Sequence, residues 1–82
     1  MLLRFYEGDG NFKYKVKILT TRGAESWVQF GDRKKTQFFD KTPLRLYKHL
    51  NNNNPDLRKQ YRENFKSVPK FSPKWFLITY LW

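Results

Sequence analysis

Residues 12–18 alternate strictly between apolar side chains and lysines, in the order Phe-Lys-Tyr-Lys-Val-Lys-Ile. Because successive side chains of a strand point to opposite faces, this pattern predicts a strand with one apolar face and one lysine face. The lysine face, formed by Lys13, Lys15 and Lys17, is an expected contact surface for anions. The alternative, that these lysines only keep an exposed strand soluble, has about equal support.

Two further segments complete a predicted sheet. A strand is expected over residues 2–7, before the turn-forming sequence Gly-Asp-Gly-Asn of residues 8–11, and another over residues 26–31, after a break at residues 20–23. Residues 1–31 therefore predict a three-stranded antiparallel meander. Such a sheet needs a second layer on its apolar face, and residues 42–82 can supply it.

That second part contains three places where a capping residue precedes proline, a typical helix start. The predicted helices cover residues 43–50, 55–66 and 73–82. The second has apolar residues four apart, Leu57, Tyr61 and Phe65, along one stripe. The third is apolar almost all round, so its pattern fits helix or strand, and its Ser-Pro start favours the helix. Asn51 to Asn54 are interpreted as a polar linker of weak structural preference.

The resulting fold class is α+β: a three-stranded antiparallel meander followed by two or three short helices, in one small domain over residues 1–82. A chain of 82 residues buries only roughly 60–65% of its unfolded surface, so its stability is expected to be modest. The chain has no Cys, which excludes disulfides and fits assembly in a reducing compartment.

Aromatic residues are unusually frequent, with eight Phe, five Tyr and three Trp making up 20% of the chain. That is too many for so small a fold to bury alone, so part of them are expected to contact another protein. The predicted anchors for such a partner are Trp27, Trp75, Tyr80 and Trp82. An ordinary core position is about as good an interpretation for Trp27, and a weaker one for Trp82.

The charge balance is strongly basic, with 17 Lys and Arg against seven Asp and Glu and an isoelectric point near 10.1. This predicts nucleic acid, an anionic membrane surface or acidic protein as partners. Basic residues next to aromatic ones at positions 33–39 and 58–62 are compatible with phosphate and base binding, and slightly more so with a solvated helix face over a buried aromatic stripe. The residues expected to contact anions or nucleic acid are Lys13, Lys15, Lys17, Lys34, Lys35, Arg58 and Arg62.

Catalytic chemistry has little support in the sequence. The chain offers one His, no Cys and seven scattered carboxylates, so no enzyme, metal site or cofactor is expected. His49 lies among cations and is interpreted as a surface or packing residue. Gly8 and Gly10 lack the third glycine of a dinucleotide-binding loop and are interpreted as turn residues. No segment approaches the roughly 20 apolar residues of a membrane span, and no signal peptide is recognised, so an intracellular protein is expected.

The segment from Trp27 to Gly31, followed by a basic helix containing Tyr and by a closing Phe-x-x-x-Trp, resembles a small basic protein family of unknown function encoded by large nucleocytoplasmic DNA viruses. The resemblance covers residues 14–82, with Asn64 and Phe65 where that family has a basic His. The matching positions are Phe30, Gly31, Asp56, Arg58, Lys59, Tyr61, Phe71, Lys74, Trp75 and Leu77.

The resemblance implies a component of a virus particle. The first functional hypothesis is therefore a minor structural protein, associated with the capsid of a large DNA virus and assembled inside the host cell. It would bind other virion or capsid proteins through its aromatic anchors and basic surfaces, as part of a larger assembly. The alternative is a small nucleic-acid-binding protein that condenses a genome or joins a ribonucleoprotein.

Overall fold

The three predicted strands form one sheet at the start of the chain. The computed structural model describes residues 2–82. Its elements are β1 (Leu2–Glu7), β2 (Phe12–Leu19), β3 (Glu25–Asp32), a 3₁₀ turn (Lys48–Leu50), α1 (Pro55–Asn64) and α2 (Pro73–Tyr80). The strands are antiparallel in the order β1-β2-β3, which confirms the meander and the α+β class.

The core lies between the sheet and α2, and α1 contributes Tyr61, which is partly buried against it. Val16 of β2 pairs with Phe5 of β1 and Val28 of β3, so the central strand carries the middle of the apolar face. Helix α2 covers that face, with the Phe76 ring stacked 5.6 Å from Phe30, between ring centroids. The buried apolar residues are Tyr14, Val16, Ile18, Phe30, Phe76, Leu81 and Trp82.

Both helices begin as their sequences predict. The Asn54 side chain accepts hydrogen bonds from the amides of Asp56 at 3.0 Å and Leu57 at 3.3 Å, and Ser72 accepts one from Trp75 at 3.2 Å. In each helix the proline after the cap has no N–H that would need a partner. The helical interpretation of the last segment is therefore confirmed.

The predicted helix over residues 43–50 is wrong, because only Lys48–Leu50 forms a 3₁₀ turn. A helix would use backbone amides to bond carbonyls four residues earlier. Here three consecutive amides are held by side-chain oxygens instead, and Arg45 has a left-handed φ of 49°. These bonds run from the amides of Arg45, Leu46 and Tyr47 to Thr42, Tyr14 and Asp40, at 3.2, 2.8 and 3.2 Å respectively.

The interpretation of Asn51 to Asn54 as a weakly structured linker is also wrong. The Asn51 side-chain oxygen accepts hydrogen bonds from the Gln37 side chain and from the Asp40 amide, both at 2.8 Å. Asn53 has a φ of 52°, a conformation that asparagine tolerates better than most residues. Each of these asparagines therefore has a distinct structural role.

Candidate functional site

The positive charge is concentrated in residues 33–82. This part holds twelve of the 17 Lys and Arg but only three of the seven Asp and Glu, namely Asp40, Asp56 and Glu63. Asp40 is buried, with 1% of its surface exposed, so two carboxylates remain on the surface of this part. The first 32 residues are nearly balanced, with five basic and four acidic residues.

The predicted lysine face of β2 is only partly present. Lys15 and Lys17 are on the outer face of the sheet, but each is paired with a carboxylate. Lys15 lies 3.3 Å from Asp9, and Lys17 lies 3.0 Å from Glu25, measured between nitrogen and oxygen. The expectation of a lysine surface open to anions is therefore corrected, since its charge is largely neutralised within the sheet.

Lys13 departs most from the prediction, because it is buried with only 1% of its surface exposed. Its ammonium donates hydrogen bonds to the Lys35 carbonyl oxygen at 2.6 Å and to the Gln37 side-chain oxygen. Burial lowers the pKa of Lys13 to about 8, although the Asp40 and Asp32 carboxylates oppose this by raising it. Lys13 is a structural residue and does not belong to an exposed anion-binding face.

Gly31 explains how a lysine can be buried at this position. It has a φ of 79°, and an added Cβ would lie 3.1 Å from the Cβ of Lys13 and 3.1 Å from a methyl group of Leu81. The missing side chain leaves the space in which the Lys13 stem and Leu81 pack. The alternation in the sequence carries no sign of this, because it depends on a residue of the neighbouring strand.

Lys13 belongs to a buried polar network that anchors residues 33–54. Tyr14 donates a hydrogen bond to Asp40, which also accepts bonds from the Thr42 amide at 3.0 Å and hydroxyl at 2.6 Å. Burial and the bond to Asp40 raise the pKa of Tyr14 to about 12. Within residues 2–82 every buried side-chain nitrogen and oxygen has a hydrogen-bond partner, so the network is satisfied and structural in character.

A basic stripe is formed by Arg58, Lys59 and Arg62 of α1 and by Lys66 in the turn that follows the helix. The Nε atoms of Arg58 and Arg62 both donate to the backbone oxygen of Trp82, at 2.8 and 3.1 Å. Because arginine has five N–H donors, these single bonds leave the outer nitrogens of both side chains available. The stripe lines a shallow surface depression of about 380 Å³ with Pro55 and Glu63.

Lys41 is close enough to the two arginines for their charges to repel each other. Burial and the charges of Arg62 and Arg58 lower the pKa of Lys41, and burial and Arg58 lower that of Arg62. In residues 2–82 the ion pairs within 4.0 Å involve Lys15, Lys17 and Arg33, and none involves these three cations. Within the described residues, no Asp or Glu side chain therefore lies within 4.0 Å of these three cations.

The other predicted basic cluster follows β3 and is divided between two roles. The Arg33 side chain donates to the Phe12 and Gly8 carbonyl oxygens, which fixes the turn between β1 and β2. Lys34 and Lys35 are exposed. Only the two lysines are therefore free to contact an external anion.

The four predicted aromatic anchors differ in exposure. Trp27 is 52% exposed on the outer sheet face, where its ring lies 5.5 Å from that of Tyr6, itself 39% exposed. Trp75 and Tyr80 are half-buried against the aromatic core. Trp82 is only 8% exposed and stacks on Tyr61 at 4.4 Å with ring planes 5° apart. Trp82 is a core residue, which corrects its interpretation as an exposed anchor.

A groove of about 320 Å³ opens beside the end of β3, and is called the β3 groove below. Its walls include Phe12, Tyr61, Leu77 and Trp82, and Lys35 and Lys74 are among its lining residues. Phe12 was expected on the apolar core face but is 44% exposed here. The sequence does not reveal this groove, because its walls come from segments up to 70 residues apart in the chain.

His49 is exposed, and its ring lies 6.1 Å from that of Tyr47. Within residues 2–82 no three His, Cys, Asp or Glu side chains are grouped so that they could hold a metal ion. Across the same residues, no helix has the length and apolar character needed to cross a membrane.

Comparison of the chain with protein-family models, with curated proteins and with solved structures found no match. A functional assignment must therefore rest on the surfaces described above.

Proposed function

We propose that the protein binds nucleic acid through the basic surface of residues 33–82 and acts as a binding protein, without a catalytic role. The observation that carries the proposal is the charge imbalance, twelve cations against two exposed carboxylates and one buried one. A surface of one sign attracts a polyanion at long range and gains affinity by releasing the counterions condensed on it. Nucleic acid is the polyanion with a repeating charge that such a surface fits.

The α1 stripe supports the proposal in its geometry. Arg58, Lys59 and Arg62 of α1 and Lys66 after it line one surface depression, so their charges are presented on the same side of the molecule. The two arginines are held in place by the Trp82 oxygen, which reduces the conformational entropy lost on binding. Lys34, Lys35 and Lys41 extend the positive surface beyond the helix.

The test is binding of labelled single-stranded and duplex oligonucleotides, measured by fluorescence anisotropy over a series of salt concentrations. The logarithm of affinity should fall linearly with the logarithm of salt concentration, with a slope of about −0.7 per contacted phosphate for a single strand. The variant Lys59→Glu/Lys66→Glu should weaken binding tenfold or more. Its matched control is Arg4→Glu/Arg22→Glu, which changes the net charge equally on the sheet half and should weaken binding less than threefold.

Two results would contradict the proposal. One is the absence of binding to any oligonucleotide at low salt. The other is an equal loss in the two double variants, because the effect would then follow total charge and not the basic surface of residues 33–82.

A second candidate is supported by a different surface. Trp27 and Tyr6 form an exposed aromatic pair on the outer sheet face, and Leu2 on the same face is 46% exposed. Aromatic residues of this kind are enriched among the residues that dominate protein interfaces. We propose that this face docks on a neighbouring protein, as in a minor capsid-associated protein of a large DNA virus, which would locate the chain in the virion.

Quantitative mass spectrometry of purified, nuclease-treated particles of the encoding virus tests the second candidate. The particles are washed at about 1 M salt, where the Debye length is about 3 Å and exposed charge pairs are screened. Retention at a fixed ratio to the major shell protein, and its loss in a virus carrying Trp27→Ala, are the expected results. Absence of the chain before washing would contradict this candidate.

A further inference from the structure

The β3 groove combines apolar walls with unpaired positive charge. Its volume of about 320 Å³ lies in the range of small-molecule sites, about 300–1,000 Å³. Phe12, Leu77 and Trp82 supply apolar wall, and the Phe12 ring is 44% exposed. A flat, apolar face of a ligand would be shielded from water by these side chains.

The charge of the groove favours an anion. Lys35 and Lys74 line it, and among residues 2–82 neither lies within 4.0 Å of a carboxylate. Asp32 is the single carboxylate among the lining residues. The ammonium of Lys13 is already bonded to Lys35 and Gln37, so the free cations are the two lysines.

The groove adjoins the basic stripe of α1. Tyr61 and Trp82 line the groove, and the backbone oxygen of Trp82 is the point at which Arg58 and Arg62 are held. A polyanionic chain with one unit in the groove could therefore continue onto α1. Because the groove and the basic stripe are continuous, together they fit a polymer of repeating phosphates better than an isolated small anion.

We propose that the β3 groove binds one nucleotide of a single-stranded nucleic acid, with its base against Phe12 and its phosphate at Lys35 or Lys74. The inference rests on the proposed nucleic-acid function and adds a site and a strand preference to it. A base inside a duplex is stacked and paired, so it cannot enter a groove of this shape, whereas a single strand presents its bases. The protein should therefore prefer single strands to duplex.

The first experiment is an NMR titration of the ¹⁵N-labelled full chain with nucleoside 5′-monophosphates. The expected shift changes lie at residues 12, 35–37, 74–77 and 82. The nucleoside without phosphate and inorganic phosphate alone should each bind more weakly, because each lacks one of the two recognised parts. Equal binding by inorganic phosphate would overturn the inference, since the groove would then be only an anion site.

The second experiment fills the groove. Thr36 is an exposed lining residue whose hydroxyl accepts one long hydrogen bond, of 3.5 Å, from Asn52, so Thr36→Trp adds volume without removing a core contact. We expect Thr36→Trp to weaken single-strand binding tenfold or more and to abolish the preference over duplex. Lys35→Glu/Lys74→Glu should do the same, whereas Arg4→Glu/Arg22→Glu, with the same charge change on the sheet half and outside the basic surface, should have less than a threefold effect.

The outcomes separate this inference from the function on which it rests. If Thr36→Trp, shown to be folded by its NMR spectrum, binds single strands like the wild type while Lys59→Glu/Lys66→Glu does not, the groove is not a nucleotide site and the basic surface still binds nucleic acid. If the wild type binds neither oligonucleotides nor mononucleotides, both proposals fail. Displacement of the mononucleotide by an acidic, tyrosine-containing peptide of higher affinity would assign the groove to a protein partner and overturn the inference.

Discussion

The hydroxyl of Tyr14 on the central strand donates a hydrogen bond to Asp40, 26 residues further along the chain. The same hydroxyl oxygen accepts the amide of Leu46 at 2.8 Å. Tyr14 is fully buried and Asp40 is 1% exposed, so the bond between them is shielded from water, while the bond from Leu46 is partly buried. This pair therefore fixes a long stretch without α-helix or β-strand onto the sheet.

Removal of that hydroxyl should destabilise the fold. Tyr14→Phe leaves the Leu46 amide without its partner and the Asp40 oxygen with the Tyr47 amide alone, and loss of a partner by a buried polar group costs about 1–3 kcal/mol. Urea denaturation followed by tryptophan fluorescence measures the change in the free energy of unfolding. The matched control is Tyr80→Phe, which keeps the 4.8 Å ring contact of Tyr80 with Phe5. It should change the free energy of unfolding by less than about 0.5 kcal/mol. Equal effects in the two variants would contradict the role given to Tyr14.

The segment that Tyr14 and Asp40 anchor is also where sequence-based prediction failed. The strands and both α-helices were predictable because they rest on local signals, the period-two alternation of β2 and the Asn-Pro and Ser-Pro starts of α1 and α2. Thr42-Pro43 carries the same local signal, but Asp40 binds the Thr42 hydroxyl and no helix forms. The Leu46 amide is held by the Tyr14 hydroxyl, 32 residues earlier in the chain, and this long-range hydrogen bond outweighs the local preference without leaving a pattern in the sequence.

The candidate sites likewise include some features that local sequence signals predict and others that depend on the tertiary structure. The basic character of α1 and its aromatic stripe could be predicted from spacing, whereas the sequence left open whether Trp27 is a core residue or an exposed one, and the structure places it 52% exposed on the outer sheet face. The burial of Lys13 depends on the φ of Gly31 in the neighbouring strand, and the β3 groove depends on where β2, α1 and α2 meet. Both require the tertiary arrangement and could not be predicted from the order of residues.

The asparagine run provides a second prediction. Asn51→Ala removes the oxygen that accepts hydrogen bonds from Gln37 and Asp40, and should lower the free energy of unfolding by about 1–3 kcal/mol. Asn53→Gly should be neutral or slightly stabilising, because glycine adopts the observed φ of 52° without steric cost. Urea denaturation of the two variants checks both values. A flexible linker would instead give small, similar effects at the two positions.

The two tryptophans that differ most in exposure provide a third prediction. Trp82→Ala removes a core ring stacked on Tyr61 and should cost about 3–5 kcal/mol, enough to unfold a marginal domain. Trp27→Ala removes a ring that is 52% exposed and should cost about 1 kcal/mol or less. Thermal unfolding followed by circular dichroism compares them. If Trp82→Ala is too unstable to show an unfolding transition, Trp82→Phe replaces it. Trp82→Phe should show a transition, with a melting temperature below that of Trp27→Ala.

The buried Lys13 makes stability depend on pH in the alkaline range. Its pKa is about 8 in the folded protein and 10.5 for an unperturbed lysine, so between these values the unfolded chain binds more protons than the folded one. Stability rises with pH wherever the unfolded state binds more protons. The Lys13 contribution should therefore be constant below about pH 8 and should increase the free energy of unfolding above it, by on the order of 2 kcal/mol up to about pH 10.

Ionisation of Tyr14 opposes this rise in stability at higher pH. Its pKa is about 12 in the folded protein against 10.0 unperturbed, so above about pH 10 the folded state holds the extra proton and stability falls. The free energy of unfolding should thus have a maximum near pH 10. Urea denaturation at intervals from pH 7 to 11 would measure it.

The variant Lys13→Met identifies the group responsible for the alkaline rise. It is expected to be less stable at pH 9 because Gln37 loses its buried donor, but its free energy of unfolding should increase much less between pH 8 and 10 than that of the wild type, the remaining increase coming from Lys41, whose pKa is also lowered. Lys15→Met is the control from the outer face of the same strand, and it should keep the increase because Lys13 remains. An undiminished rise in Lys13→Met would show that Lys13 keeps an ordinary pKa in the folded protein, contrary to its burial against Lys35 and Gln37.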